Sequence, residues 1–209
     1  MSGVFITFEG SDGAGKTIQS QLLYDYLTNQ SIDVVLTREP GGTKISEQIR
    51  AIILDNNNDE MFDMTEALLY AAARAQHVEE VIKPNLSKGK IVICDRFVDS
   101  SVAYQGAGRG LGLDLIENIN NYATLGLKPD LTFFLDLKPS EGIKRKKAER
   151  ELDRLESEMA KFHQKVYNAY GVIVKENHKR IVVIDASDTI EHVHEMIITK
   201  LDGYIKITS

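Results

Sequence analysis

The chain has 209 residues, 43% hydrophobic and 27% charged, enough for one well-cored domain and too apolar for a disordered chain. A formal net charge of −6 argues against a nucleic-acid surface as the main partner, and Cys94, the one cysteine, excludes an internal disulfide framework and points to a reducing cytosol. MSGVFITFEG at the N-terminus has no basic region followed by a long apolar run, and LTFFL is too short to span a bilayer, so a cytoplasmic protein without a membrane partner is expected.

Val4–Phe8 reads as the first strand, and it runs into a loop of fixed spacing. Gly10 is followed by Ser11, Asp12, Gly13 and Ala14, then by Gly15, Lys16 and Thr17. Glycines let the backbone curl and aim its N–H groups at an anion, and the next helix adds its positive end. Lys16 can reach outer phosphates, and the Thr17 hydroxyl suits a magnesium ion. A Gly-rich turn with an accidental lysine is the competing reading. The following helix carries Leu22, Leu23 and Leu27 on its buried side.

The second strand, Val34–Thr37, ends in Arg38 and Glu39, then a Pro-Gly-Gly turn. A helix carrying Arg50 follows, with Ile45, Ile49, Ile52 and Ile53 at helical spacing. Asp55–Glu60 is a polar loop. Thr65-Glu66 marks the start of a long helix that reaches Ile82, before Pro84. On it Tyr70 and Arg74 are four apart and share a face, where an aromatic ring and a guanidinium can hold a base; core packing is the other reading.

Ile91–Cys94 is the third strand, and it ends in Asp95-Arg96. Ligands of parallel sheets bind beyond the carboxyl ends of strands, so Asp95 should emerge beside the phosphate loop, to hold magnesium through water or to assist the nucleophile. Arg96 suits a phosphate, although a strand-end ion pair would use the same two residues. Cys94 reads as a buried small hydrophobe. Leu131–Leu135 and Ile181–Ile184 complete five strands, each apolar nearly throughout, as expected for strands covered on both faces. Between them Ile143–Glu158 interleaves acids with bases, the pattern of a solvated charged helix. Ile190, Val193, Ile197 and Leu201 mark a last helix. Strands separated by helices predict an α/β fold, a doubly wound five-stranded parallel sheet flanked by helices.

Taken in order, FITFEGSDGAGKT, TREPGGT, TEALLYAAARAQH, CDRFVDSSVAYQG, LKPDLTFFLDLKP, ELDRLESE and VIDAS resemble the bacterial thymidylate kinases over the whole chain. The resemblance implies a P-loop kinase, one domain over 1–209 with a mobile lid at about 143–158. It implies transfer of a phosphoryl group from ATP to dTMP with Mg2+, in dTTP synthesis, by a cytoplasmic homodimer without nucleic-acid partners.

By that resemblance Gly10 to Thr17 cradle the ATP phosphates, with Thr17 and Asp95 at the metal. Asp12 contacts the sugar 3′-hydroxyl of dTMP. Glu39 and Asp95 organise magnesium and water near the acceptor. Arg38, Arg50 and Arg96 bind the dTMP phosphate. Tyr70 stacks on thymine, Arg74 contacts its carbonyl, Ser101 and Gln105 take its remaining polar edge, and Tyr104 crowds the sugar 2′ position. In the lid Arg145 stacks on adenine, while Lys147, Arg150 and Arg154 are candidates to reach phosphates. Because the phosphate loop carries no arginine, the lid is expected to supply the catalytic positive charge, and Arg150, in the middle of the segment just before ELDRLE, ranks first. Asp185–Ser187 border the adenine site.

Three positions depart from the family pattern: Ile18 stands for a second threonine, Tyr70 for a phenylalanine, and Phe97 for a tyrosine. Two other readings stand beside it, a kinase for another nucleoside or (deoxy)nucleoside monophosphate and a non-catalytic nucleotide-binding switch. A GTP switch wants a guanine-specifying Asn-Lys-x-Asp stretch, which the sequence lacks, and a scaffold without catalysis would be expected to have lost Lys16, Asp95 or Arg96.

Overall fold

The computed structural model describes residues 3–149 and 151–204. Five strands, β1 Val4–Gly10, β2 Val34–Arg38, β3 Ile91–Asp95, β4 Leu131–Asp136 and β5 Ile181–Asp185, form one parallel sheet in the order β2-β3-β1-β4-β5. Each lies within a residue or two of its predicted bounds. The helices are α1 Lys16–Asn29, α2 Lys44–Leu54, α3 Asp63–His77, α4 Lys83–Ser87, α5 Val98–Ser101, α6 Leu113–Thr124, α7 Pro139–Glu149, α8 Ala160–Glu176 and α9 Ile190–Tyr204. Wider π-type turns at Val78–Ile82 and Val102–Gly108 join α3 to α4 and extend α5.

Side chains alternate across β1, which sorts the core into two layers. Ile6 and Phe8 face α1 and α9, where they meet Leu23, Leu27, Val193, Ile197 and Leu201. Phe5 points the other way, into a cluster with Val78, Ile82, Val92, Cys94 and Phe97. Phe134 and Ile181 on that same face pack with α6 and α8 through Ile116, Val166 and Tyr170. The chain moves from β1 outward to β2, back to β3, then across to β4 and β5. The order therefore reverses at central β1, and the loop leaving β1 opens at that switch point.

Four expectations change. The strands are not all covered on both faces: edge strand β2 is half-buried over Val34–Thr37 and exposes Arg38, and β5 exposes Val183 and Asp185. The long helix begins at Asp63, not Thr65, and continues past Pro84, which is tolerated in the first turn of α4. Of the isoleucines on α2 only Ile53 is fully buried, while Ile45 and Ile52 face solvent. The charged 143–158 segment is not one helix: α7 supplies its first half, and irregular turns follow from Glu151, burying Leu155 and Glu156.

Candidate active site

The carboxyl ends of β1, β2 and β3 border a cavity of about 480 Å³. Gly13 and Gly15 adopt left-handed φ values of 75° and 89°, which glycine takes without a Cβ clash. Gly13 is also pressed against Gly142 of α7, and a Cβ on either would strike the other segment's backbone. The front of α7 thereby sits on the phosphate loop. Lys16 Nζ donates to Gly10 O at 3.0 Å and Ser11 O at 2.7 Å, so its ammonium lies within the loop. Burial, then the positive Arg96, pulls the Lys16 pKa down to about 8. An anion in the loop would reverse that shift.

Thr17 Oγ1 donates to Asp95 Oδ2 at 2.6 Å, across 78 residues of sequence. The second oxygen, Asp95 Oδ1, is buried and finds no partner among the described residues, and Ser11 Oγ is in the same condition. An unpartnered buried polar atom costs about 1–3 kcal/mol, and an open carboxylate oxygen beside a hydroxyl is a donor set that fits magnesium.

Arg96 has a left-handed φ of 71°, a strained backbone for a side chain of that size. The turn aims its guanidinium back at the loop. Nη1 donates to Gly10 O at 3.2 Å and Ser100 Oγ at 3.1 Å, and Nη2 donates to Asp12 Oδ1 at 2.5 Å. Tyr104 lies under the same guanidinium, 5.1 Å from ring centre to Cζ, and donates its hydroxyl to Asp12 Oδ2 at 2.7 Å. Burial works against the Asp12 carboxylate, but Arg96, Lys16 and the Tyr104 hydroxyl together hold its pKa below the usual value.

Arg38 and Arg50 reach the cavity together. Each donates from Nη1 to Pro40 O at 2.8 Å. Arg38 also pairs with Glu47, whereas the Arg50 pKa is lowered by burial and then by the positive Arg38. Two guanidinium groups converging on one carbonyl favour an anion between them.

The structure gives Glu39 and Arg74 tighter duties than the sequence suggested. Arg74 is 2% exposed. Its Nε donates to Glu39 Oε2 at 2.6 Å, Nη1 donates to Ser101 Oγ at 3.0 Å and to Asn120 Oδ1, and Nη2 donates to Phe97 O at 3.0 Å. The other Glu39 oxygen meets His77 Nδ1 at 2.9 Å. Both oxygens of Glu39 are thus engaged by protein, although the residue also lines the cavity. Phe97 is explained here too: it packs edge-on against Phe5 at 4.9 Å and lies beneath Arg74, a site where a tyrosine hydroxyl would be buried.

Lid assignments shift more. Arg145 and Lys146 line the cavity, whereas Lys147 is exposed outside it. Arg154 is turned away, donating to Ile53 O at 2.9 Å and to Glu66 Oε2 at 2.6 Å. Arg150 lies outside the described residues. Of Asp185–Ser187 only Ala186 lines the cavity, its carbonyl accepting from Arg145 at 3.4 Å; exposed Asp185 instead accepts from Ser187. Tyr70, Ser101, Gln105 and Ile18 all line the cavity.

Sequence reasoning overlooked Glu9, one residue before Gly10. It is 1% exposed and accepts from Phe97 N at 2.8 Å, Ser100 N at 3.2 Å, Ser100 Oγ at 2.6 Å and Tyr170 Oη at 2.9 Å, so it clamps the turn around Arg96. A charged residue inside an apolar strand pattern was the available signal. Burial and the neighbouring Asp99 push its pKa up from 4.5 to about 7. A carboxyl raised on folding stabilises the native state fully below its unfolded pKa, and that contribution is lost as pH rises through the folded one. The Glu9→Gln variant should therefore lack the decline in stability that wild type shows between about pH 4.5 and 7. Denaturant midpoints measured across that range check it; parallel curves would show that Glu9 does not titrate there.

A sequence model of the thymidylate kinase family matches residues 8–197. A thymidylate kinase from Lactobacillus acidophilus is 52% identical over 204 residues, covering 96% of this chain and 94% of the relative. One from Finegoldia magna is 52% identical over 198 residues, covering 95% and 97%. The crystal structure of a thymidylate kinase from Ehrlichia chaffeensis superposes with a TM-score of 0.79 at 37% identity, covering 97% of this chain and 99% of that one.

Proposed function

The chain belongs to the thymidylate kinase family and is a nucleoside monophosphate kinase that phosphorylates dTMP, and from that premise we propose how its residues divide the work. The observation that supports the division best is the meeting of the phosphate loop, the Thr17–Asp95 pair and Arg38, Arg50 and Arg96 at one cavity.

Residues Gly10 to Thr17 bind the ATP phosphates, Lys16 leaving the loop carbonyls for phosphate oxygens. Arg145 and Ala186 border the adenine. Arg38 and Arg50 hold the dTMP phosphate, and Arg96 bridges from it toward the transferring group while Asp12 and Tyr104 meet the sugar. Tyr70, Arg74, Ser101 and Gln105 form the base pocket. Phosphoryl transfer asks for alignment and positive charge more than for covalent work by protein, and this arrangement supplies both. Thr17 and Asp95 would hold Mg2+, which would supply neutralising charge for the phosphates. The segment around 143–158 covers the site and excludes water, with Lys146 and Arg150 as the lid bases that reach phosphates. The division treats residues 1–209 as one catalytic unit.

A homodimer belongs to the same proposal. Phe62 and Leu68 at and on α3, with Tyr122 and Leu125 at the end of α6, leave apolar side chains in solvent, as an interface between copies would require. Cytoplasmic location is supported by the lone thiol Cys94. No described helix is long and apolar enough to cross a membrane.

The test compares ADP release with dTMP, dUMP, dCMP and thymidine, with and without magnesium. The three arginines imply an acceptor that already carries a phosphate, so dTMP is expected to be the best acceptor and thymidine to be inert. Comparable turnover of thymidine and dTMP would overturn this use of Arg38, Arg50 and Arg96.

A further inference from the structure

A side-chain amide can turn either its oxygen or its nitrogen to a neighbour, and shape alone does not decide which. For Gln105 the neighbour decides. Its Nε2 donates to Glu66 Oε1 at 2.9 Å. The same carboxylate accepts from Arg109 Nε at 3.3 Å, Arg109 Nη2 at 2.9 Å and Arg154 Nη2 at 2.6 Å. Glu66 is fully buried. Burial pushes its pKa up, but hydrogen bonds from Arg109 and Gln105 and the charge of Arg109 hold it below the usual carboxylate range. An ionised carboxylate can only accept, so the nitrogen of Gln105 stays on the Glu66 side. The Gln105 oxygen takes no hydrogen bond among the described residues and is the atom left for the cavity that Gln105 lines.

We infer that Glu66 is a specificity-determining residue: by fixing the Gln105 amide it makes the site offer an acceptor to the base, selecting pyrimidines that carry an N3–H. The inference rests on the base-pocket reading of Tyr70, Arg74 and Gln105 proposed above. Arg74 is donor-only, so the pocket sets a donor beside an acceptor. Thymine and uracil answer with a 4-carbonyl beside N3–H. Cytosine reverses both, placing an amino group toward the guanidinium and a lone pair toward the Gln105 oxygen. Rejection of this kind is strong because the buried polar groups of the site are left unpaired. Glu66 comes from α3, Arg109 follows the Val102–Gly108 turn, and Arg154 follows α7, so three separated segments set one amide. Glu66 acts through Gln105 and is a positioning residue.

The test measures kcat/KM for dTMP, dUMP and dCMP in wild type and Glu66→Gln. A neutral amide at 66 frees Gln105 to turn, so the dTMP-to-dCMP ratio should fall about tenfold or more, while dTMP-to-dUMP, a comparison of two N3–H bases, stays put. A purely structural Glu66 would lower all three acceptors together, and an unchanged dTMP-to-dCMP ratio overturns the inference. Wild type that turns over dCMP as well as dTMP would instead overturn the base-pocket reading. Should Glu66→Gln fail to fold, Glu66→Asp keeps the charge facing Arg109 and Arg154 while drawing the carboxylate back from Gln105, and the same ratio is read. An N3-methylated dTMP offered to wild type needs no variant: turnover near that of dCMP supports the acceptor, and turnover near that of dTMP overturns it.

Discussion

Replacing Arg96 with alanine is expected to lower kcat by about a hundredfold to a thousandfold, the scale of losing one preorganised donor at a reacting centre. The guanidinium touches Gly10 O, Asp12, Ser100 and the Tyr104 face, so one side chain sets both the phosphate loop and the Asp12–Tyr104 wall of the cavity. Its backbone separates the effect on chemistry from the effect on folding. At φ 71° alanine keeps the strain and glycine relieves it, so Arg96→Gly should be more stable than Arg96→Ala by about 1 kcal/mol while being equally impaired in turnover. Arg96→Lys keeps a point charge without the fork and should fall between wild type and alanine. Steady-state kinetics and denaturant unfolding of the three variants decide the matter. Near-normal kcat in Arg96→Ala would remove Arg96 from the transferring group.

Arg74→Ala should cost about 3–5 kcal/mol of stability, because removing one partner of a buried ion pair strands the other. Glu39 would keep His77 Nδ1 but lose its guanidinium at 4% exposure, and Asn120, Ser101 and the Phe97 carbonyl would lose a donor. The proposed contact of Arg74 with the thymine carbonyl adds a second effect, a loss of dTMP affinity of about tenfold or more, the scale of one charged hydrogen bond. Both effects are expected together, the affinity loss greater for dTMP than for ATP. A double variant, Arg74→Ala with Glu39→Gln, should recover part of the stability, since the stranded charge is gone. Urea unfolding gives the first quantity and titration of each ligand the second. Unchanged stability in Arg74→Ala would show that the buried network carries no net weight, and equal weakening of dTMP and ATP would remove Arg74 from base reading.

Residues near in sequence were the legible part. The Gly10–Thr17 spacing, the five apolar strands and the polar pairs at their carboxyl ends could be read directly, because local backbone preference and side-chain alternation act over a few residues. From those, the parallel sheet and the side of it on which ligands bind followed. Helix ends were less legible: α3 begins two residues before Thr65, and Pro84 opens α4 where it was expected to follow a helix end, since proline is tolerated in a first turn.

What only the tertiary structure decided is which long-range partner each polar side chain meets. Thr17 and Asp95 meet across 78 residues, leaving the other Asp95 oxygen buried without a partner among the described residues, a condition no motif encodes. Glu39 pairs with Arg74 and His77, Arg154 binds Glu66, and Lys146 rather than Lys147 lines the cavity. For Glu39 and Arg154 the physical reason is the same. Burying a charge is costly unless it is paired, so each such group takes the partner that folding brings within hydrogen-bond reach, and that partner comes from a distant segment whose approach no local pattern encodes.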